Sequence, residues 1–102
     1  MSRVDALRAA TRAALDSDRV VEAERLARQL IGAAPSAEAW NLLARALRSQ
    51  DRFEQSIAAS ENALRFNPTS ADAIYNRAVA VGRRGNVAAA LAQFESLVAR
   101  GV

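Results

Sequence analysis

The chain of 102 residues contains no cysteine and no histidine. It therefore has no means to build a disulfide, a zinc finger, a Ser-His-Asp triad or a thiol nucleophile. It also lacks an apolar run of membrane-spanning length and an apolar leader segment near its start, which predicts a cytoplasmic protein that does not enter a membrane. We expect no cofactor, no metal and no enzymatic activity.

Lysine is absent as well, so all 14 basic residues are arginines, and 11 carboxylates are interleaved with them. The net charge is only +3, and aromatic residues make up 5% of the chain. A nucleic-acid-binding surface usually combines a block of basic charge with stacking aromatic side chains. Because the sequence has no such block, we predict that the protein does not bind nucleic acid.

Residues that interrupt helices are scarce, since the chain has two prolines and four glycines against 25 alanines. Alanine is the best helix former, and leucine, arginine, glutamine and glutamate follow it. Runs of β-branched residues, which would favour strands, are scarce too. The composition predicts an all-α domain in which short side chains let the helices approach closely.

The sequence repeats itself about every 34 residues. A shift of 34 aligns small and apolar residues of the middle and last thirds, in the pairs Trp40–Ile74, Ala44–Ala78, Leu47–Val81, Phe53–Val87, Ile57–Leu91 and Leu64–Val98. A shift of 33 aligns the first third with the middle one, in the pairs Leu7–Trp40, Ala10–Leu43, Val20–Phe53, Leu30–Ala63 and Pro35–Pro68. A single domain of three units is therefore predicted, at about 3–36, 37–70 and 71–102.

Each unit is expected to form two helices joined by a tight turn. Short polar residues suited to capping a helix N-terminus precede the first helix of each unit, namely Ser2 or Asp5, then Ser36, then Ser70 with Asp72. Polar or glycine-containing turns divide the units at Asp16-Ser17-Asp18, Ser49-Gln50-Asp51 and Arg84-Gly85-Asn86. The predicted helices are 3–16, 20–32, 37–49, 53–66, 71–84 and 87–100.

The middle unit shows which helix faces meet in the core. Trp40, Leu43, Ala44 and Leu47 follow helical spacing and form one stripe. Residues of the next predicted helix supply the facing stripe, at Phe53, Ile57, Ala63 and Leu64. We interpret Trp40 as a packing residue, in preference to a platform on which a ligand stacks.

The pattern resembles the tetratricopeptide repeat (TPR) family over essentially the whole chain. That family is marked by W-x2-L-G-x2-Y, then A-x3-F, then A and P, in 34 residues. The middle unit is similar to it at Trp40, Leu43, Ala44, Leu47, Ser56, Ser60, Ala63 and Pro68, the last unit at Ile74, Ala78, Val81, Ala90 and Phe94, and the first at Leu7, Ala10, Thr11, Ala14, Ala23, Ala27, Leu30 and Pro35. The resemblance implies a right-handed TPR superhelix, an α-solenoid of three helix-turn-helix repeats that binds other proteins. Arg77 departs from the family pattern, which usually has leucine there.

In TPR proteins the first helices of the units line a concave groove. The resemblance therefore implies a peptide-binding site made of Arg8, Arg12, Asn41, Arg45, Arg48, Tyr75 and Arg83. Guanidinium groups hold carboxylates bidentately, so the expected partner is a protein or peptide segment with acidic character. The alternative is that these arginines are solvated and partly paired with Asp5, Asp16 and Glu38. The family's clamp for the C-terminal carboxylate of a chaperone is not expected, because Leu42, Asp72 and Asn76 replace its amide and two of its cations.

Two further interpretations concern assembly. The pattern ends without a further helix to cover the last one, which predicts self-association, as a homo-oligomer or scaffold, through Leu91, Phe94, Leu97 and Val98. The other interpretation is that the chain is the N-terminal module of a longer protein, because TPR blocks often precede catalytic domains in bacterial proteins.

Overall fold

The computed structural model describes residues 2–99, which form six α-helices and no strand. The helices are α1 (Arg3–Asp16), α2 (Val20–Ala33), α3 (Ala37–Arg48), α4 (Phe53–Phe66), α5 (Ala71–Arg83) and α6 (Val87–Ala99). The all-α prediction is confirmed, and these helix ends, apart from the C-terminal end of α6, lie within one residue of the predicted ones. Residue 100, where the last helix was predicted to end, lies outside the described residues. None of the six helices is long and apolar enough to cross a membrane.

The first helix of each unit begins at a serine cap. The hydroxyl oxygens of Ser2, Ser36 and Ser70 accept hydrogen bonds from the backbone N–H groups three residues further on. Each cap satisfies one of the backbone donors that a helix N-terminus leaves without a partner. Of the two candidates in the first unit, Ser2 is the cap, and Asp5 lies in the first turn of α1.

The turn inside each unit depends on one residue in the left-handed backbone region. The backbone φ angles are 59° at Asp18, 59° at Asp51 and 114° at Gly85. These three positions are equivalent in the repeat, and aspartate and glycine tolerate positive φ better than most residues do. A residue with positive φ therefore reverses the chain direction in all three units.

The helices pack in an order that follows the chain. Each helix contacts the next one, and in addition α1 contacts α3, and α3 contacts α5. Over the described residues no Cα atom of α2, α4 or α6 lies within 8 Å of a Cα atom in another of these three helices. The molecule measures 41 × 25 × 19 Å. This arrangement is consistent with a helical repeat that gathers the first helices of the units on one face.

The core consists mainly of leucine and alanine side chains from α1 to α4. Thr11, Ala44 and Ala78, which occupy equivalent positions in the three units, are completely buried. Their small size lets paired helices approach closely, and the Ser56 hydroxyl donates to the Ala44 carbonyl oxygen at 2.8 Å. Trp40 is half-buried and packs against this core.

Arg77 lies between α5 and α4 with its side chain 34% exposed. Its guanidinium Nη2 atom is 3.5 Å from Oε2 of Glu61 on α4, while its Nε atom is buried and has no hydrogen-bond partner. The side chain therefore lies along the helix interface with its charged end near the surface, as long basic side chains commonly do.

Candidate functional site

A depression of about 510 Å³ opens on the face shared by the first helices of the three units. We call it the groove, and its lining residues are Arg12, Ala37, Glu38, Asn41, Leu42, Arg45, Arg48, Asn67, Ser70, Asp72, Tyr75 and Asn76. Polar side chains dominate this lining, and it carries three arginines and two carboxylates. The groove is therefore suited to a ligand that forms hydrogen bonds and ion pairs.

On the α1 side of the groove, arginine charge is balanced within the protein. Glu38 accepts hydrogen bonds from Arg8 and from Arg12, and Arg8 also pairs with Asp5 at 2.8 Å. Burial alone raises the pKa of Glu38, but the bonds from Arg12 and Arg8 outweigh it and hold that pKa below its usual value. We call Arg8, Arg12 and Glu38 the paired cluster.

Arg45 occupies an intermediate position, between the paired cluster and α5. Its Nη2 atom lies 3.7 Å from Oδ1 of Asp16, and the two side chains are 45% and 73% exposed. A long contact between two exposed side chains contributes little, because water and ions screen it. Arg45 is therefore only weakly neutralised by the protein.

On the α5 side of the groove, Arg48 has no acidic partner among the ion pairs of residues 2–99. Its guanidinium carbon lies 5.8 Å from the ring centroid of Tyr75, which is the geometry of a cation–π contact. Its Nη2 atom donates to Oδ1 of Asn76 at 3.4 Å, whereas its Nε atom is buried and has no hydrogen-bond partner among the described residues. Arg48 therefore retains a donor that the fold does not use.

The surroundings of Arg48 disfavour its charge. Burial lowers its pKa, Tyr75 opposes that change, and the positive charges of Arg83 and Arg45 lower the pKa further. A guanidinium stays protonated despite such shifts. A negatively charged ligand group at this point would relieve the repulsion among the three arginines.

Asn41 adds an unused acceptor beside Arg48. Its Nδ2 atom donates to Oγ of Ser70 at 3.2 Å, and its backbone oxygen accepts from Nδ2 of Asn76 at 3.5 Å. Its Oδ1 atom, however, is buried and has no partner in the part of the chain that the structure describes. Buried polar atoms are rarely left without a hydrogen bond, so a ligand that shifts this side chain into the groove would supply the missing donor. We call Asn41, Arg48, Tyr75 and Asn76 the Arg48 site.

Five of the seven predicted groove residues line the depression, namely Arg12, Asn41, Arg45, Arg48 and Tyr75. Arg8 reaches it only through its bond to Glu38. Arg83 is exposed in the last turn of α5 and does not line it.

Sequence reasoning did not include Asn76 or Ser70 among the site residues. Asn76 is 6% exposed and occupies the position that buried Leu42 holds in the preceding unit. A polar residue at a position that is apolar in the other copies is the signal that could have identified it.

The predicted self-association residues of α6 divide into two groups. Leu91 is 56% and Val98 74% exposed. Leu97 is only 7% exposed and faces inward, and Phe94 is half-buried against Tyr75 with ring centroids 6.0 Å apart. Val87, which is 60% exposed, joins Leu91 and Val98 on the outside. Only two of the four predicted residues of α6 are therefore exposed and available to a partner.

No three acidic side chains within residues 2–99 converge as a metal site would need. Comparisons with models of known protein families and with curated proteins gave no match to this chain. The resemblance to TPR proteins therefore depends on the repeat pattern of the residues themselves.

Proposed function

We propose that the chain is a three-repeat TPR domain, a right-handed α-solenoid, and that its groove binds an extended peptide segment carrying an acidic side chain. The role is one of binding, without catalysis. The proposal is supported by the serine caps and positive-φ turns that recur at equivalent positions, and by the contacts that gather α1, α3 and α5 on one face.

The Arg48 site is the observation on which the proposal depends. It combines a partly exposed guanidinium that has no acidic partner among the described residues, that of Arg48, with the buried Oδ1 atom of Asn41, which a ligand reaches only when that side chain shifts. An extended peptide offers both complements, because its backbone N–H can donate to Asn41 while an acidic side chain accepts from Arg48. Neither a purely apolar ligand nor a cation supplies this pair of groups.

The same geometry favours one side of the groove for the acidic side chain. Arg8 and Arg12 already share Glu38, so an incoming carboxylate on the α1 side would have to compete with an existing ion pair. Within residues 2–99 Arg48 has no such competitor, and Arg45 has only the long contact with Asp16. The acidic group is therefore held on the α5 side of the groove.

Selection from a displayed library of random decapeptides on the immobilised full chain tests this function. We expect the selected peptides to share an acidic residue at one fixed position. The variant Arg48→Gln should weaken their binding roughly 10- to 100-fold, because a hydrogen bond to a charged group contributes about 1.5–3 kcal/mol.

The matched control is Arg12→Gln, which removes an arginine from the same groove at a position where Glu38 already balances it. Its effect should stay within about 3-fold, as expected for an exposed charge. Selected peptides without acidic residues, or equal losses in the two variants, would contradict the proposal.

A further inference from the structure

The repeat makes it possible to compare a helix face that has a neighbour with the same face where no described residue covers it. In α3 and α5, which follow another unit, three equivalent positions on one face are buried. They are Ala39, Leu42 and Ala46 in α3, exposed by 0%, 7% and 0%, and Ala73, Asn76 and Ala80 in α5, exposed by 0%, 6% and 0%.

The corresponding residues of α1 are Ala6, Ala9 and Ala13, and all three are exposed. We call them the open face of α1. No helix precedes α1 among the described residues, and these side chains are small and uncharged. The face therefore has the composition of a packing surface that lacks its neighbour.

Consecutive units pack on each other through an interface that we call the joint. The surface of α6 that would form the other side of such a joint is exposed. Val87, Leu91 and Val98 are equivalent to Phe53, Ile57 and Leu64 on α4. We call the three residues of α6 its open face. Ile57, which is 8% exposed, packs in one cluster with Ala80 and Val81 of α5, whereas its equivalent Leu91 is 56% exposed.

We propose that a second copy of this chain packs the open face of its α1 on the open face of α6. The joint between α4 and α5 is the template, with Leu91 in the role of Ile57 and Ala13 of the second copy in the role of Ala80. Such a joint is heterologous, since the two surfaces differ, and each added copy exposes another open face. Association is therefore head to tail and open-ended, unlike a symmetric dimer through α6.

Charge places one constraint on this joint. Within the chain, Arg45 of α3 lies 3.7 Å from Asp16 of α1. Across the proposed joint, the equivalent positions are Arg12 of one copy and Arg83 of the other, which repel each other. Because salt screens exposed charges, the association should become stronger as ionic strength rises.

Light scattering on the full 102-residue chain at high salt, over a concentration series, tests the proposal. The average mass should rise above the 10.9 kDa of a single chain and continue past the dimer. The variants Ala9→Glu and Leu91→Glu each destroy one surface and should be monomeric alone. Mixed together, they retain one intact joint between them and should form a 1:1 dimer that grows no further.

The matched control is Ala92→Glu, which places the same charge on α6 next to Leu91. Its equivalent Ala58 stays exposed although α5 covers α4, so this variant should associate like the unmodified chain. Circular dichroism melts confirm that each variant is folded. A constant monomer mass in the unmodified chain, or self-association of Ala9→Glu alone, would overturn the proposal.

Discussion

On the α1 side of the groove, Arg8 and Arg12 share the carboxylate of Glu38, whereas on the α5 side Arg48 stacks on Tyr75 with no acidic partner among the described residues. These arginines all lie on first helices of the repeat and look alike in the sequence. The comparison shows that the residue opposite each arginine, supplied by the next unit, decides whether its charge is available to a ligand.

The largest expected effect comes from reversing charge on the unbalanced side. Arg45→Glu combined with Arg48→Glu should weaken binding of an acidic peptide about 100-fold or more. The reason is that two guanidinium groups, which donate hydrogen bonds to the peptide's carboxylate, are replaced by two carboxylates that repel it. The measurement is the change in fluorescence anisotropy of a labelled, library-selected peptide.

The matched control for this pair is Arg3→Glu combined with Arg65→Glu, which changes net charge equally at exposed positions outside the groove. Its affinity loss should be small and should diminish with added salt. If both pairs weaken binding alike, the peptide responds to net charge and the Arg48 site has no special role.

A second test separates binding from stability at Asn41. The variant Asn41→Leu removes the buried Oδ1 atom that has no partner, so the melting temperature should hold or rise. Peptide affinity should nevertheless fall roughly 10-fold, because the acceptor for the peptide backbone is lost. Thermal melts and binding isotherms on the same samples check both parts. A lower melting temperature with unchanged affinity would make Asn41 a structural residue.

A third test removes the carboxylate that neutralises arginine charge on the α1 side of the groove. Glu38→Gln releases Arg12 and leaves Arg8 paired with Asp5 alone, so peptides with a second acidic residue should bind about 3-fold more tightly, in keeping with the modest effect of exposed charges. Peptides with a single acidic residue should be unaffected and serve as the control. An equal gain for both peptide classes would indicate that the released charges act at long range.

The smallest expected effect is the pH dependence of the stability that the paired cluster gives to the fold. The pKa of Glu38 is lower in the folded chain than the unfolded value of about 4.3, so its stabilisation is complete above that pH and is lost as pH falls through the folded pKa. Melting temperature should fall on acidification below about pH 4.5, and Glu38→Gln should reduce that fall by about 2–5 °C. Identical acid profiles for the two proteins would mean that the paired cluster contributes nothing to stability.

Local chemistry made the helices predictable. Serine caps and residues that accept positive φ act over three or four neighbouring positions, so the sequence alone located the helix ends to within one residue, apart from the C-terminal end of α6, which lies outside the described residues. The pairing of arginines with Asp5, Asp16 and Glu38 was also foreseen as an alternative, and the structure forms each of those pairs.

Other side-chain contacts between different helices could not be predicted from the sequence. Nothing local distinguishes Arg48 from Arg45, because the difference arises from Tyr75 and Asn76 on another helix. The inward orientation of Leu97 likewise depends on how α6 is rotated against α5. Such features require the tertiary structure, whereas helix ends do not.

The most direct test of the central claim is nuclear magnetic resonance of the arginine side chains during titration with a library-selected acidic peptide. We predict that the Nε–Hε signal of Arg48 shifts most, because the acidic side chain of the peptide binds this guanidinium. The signals of Arg8 and Arg12 should hardly move. Larger shifts at Arg8 and Arg12 than at Arg48 would mean that the acidic side chain binds on the α1 side of the groove instead.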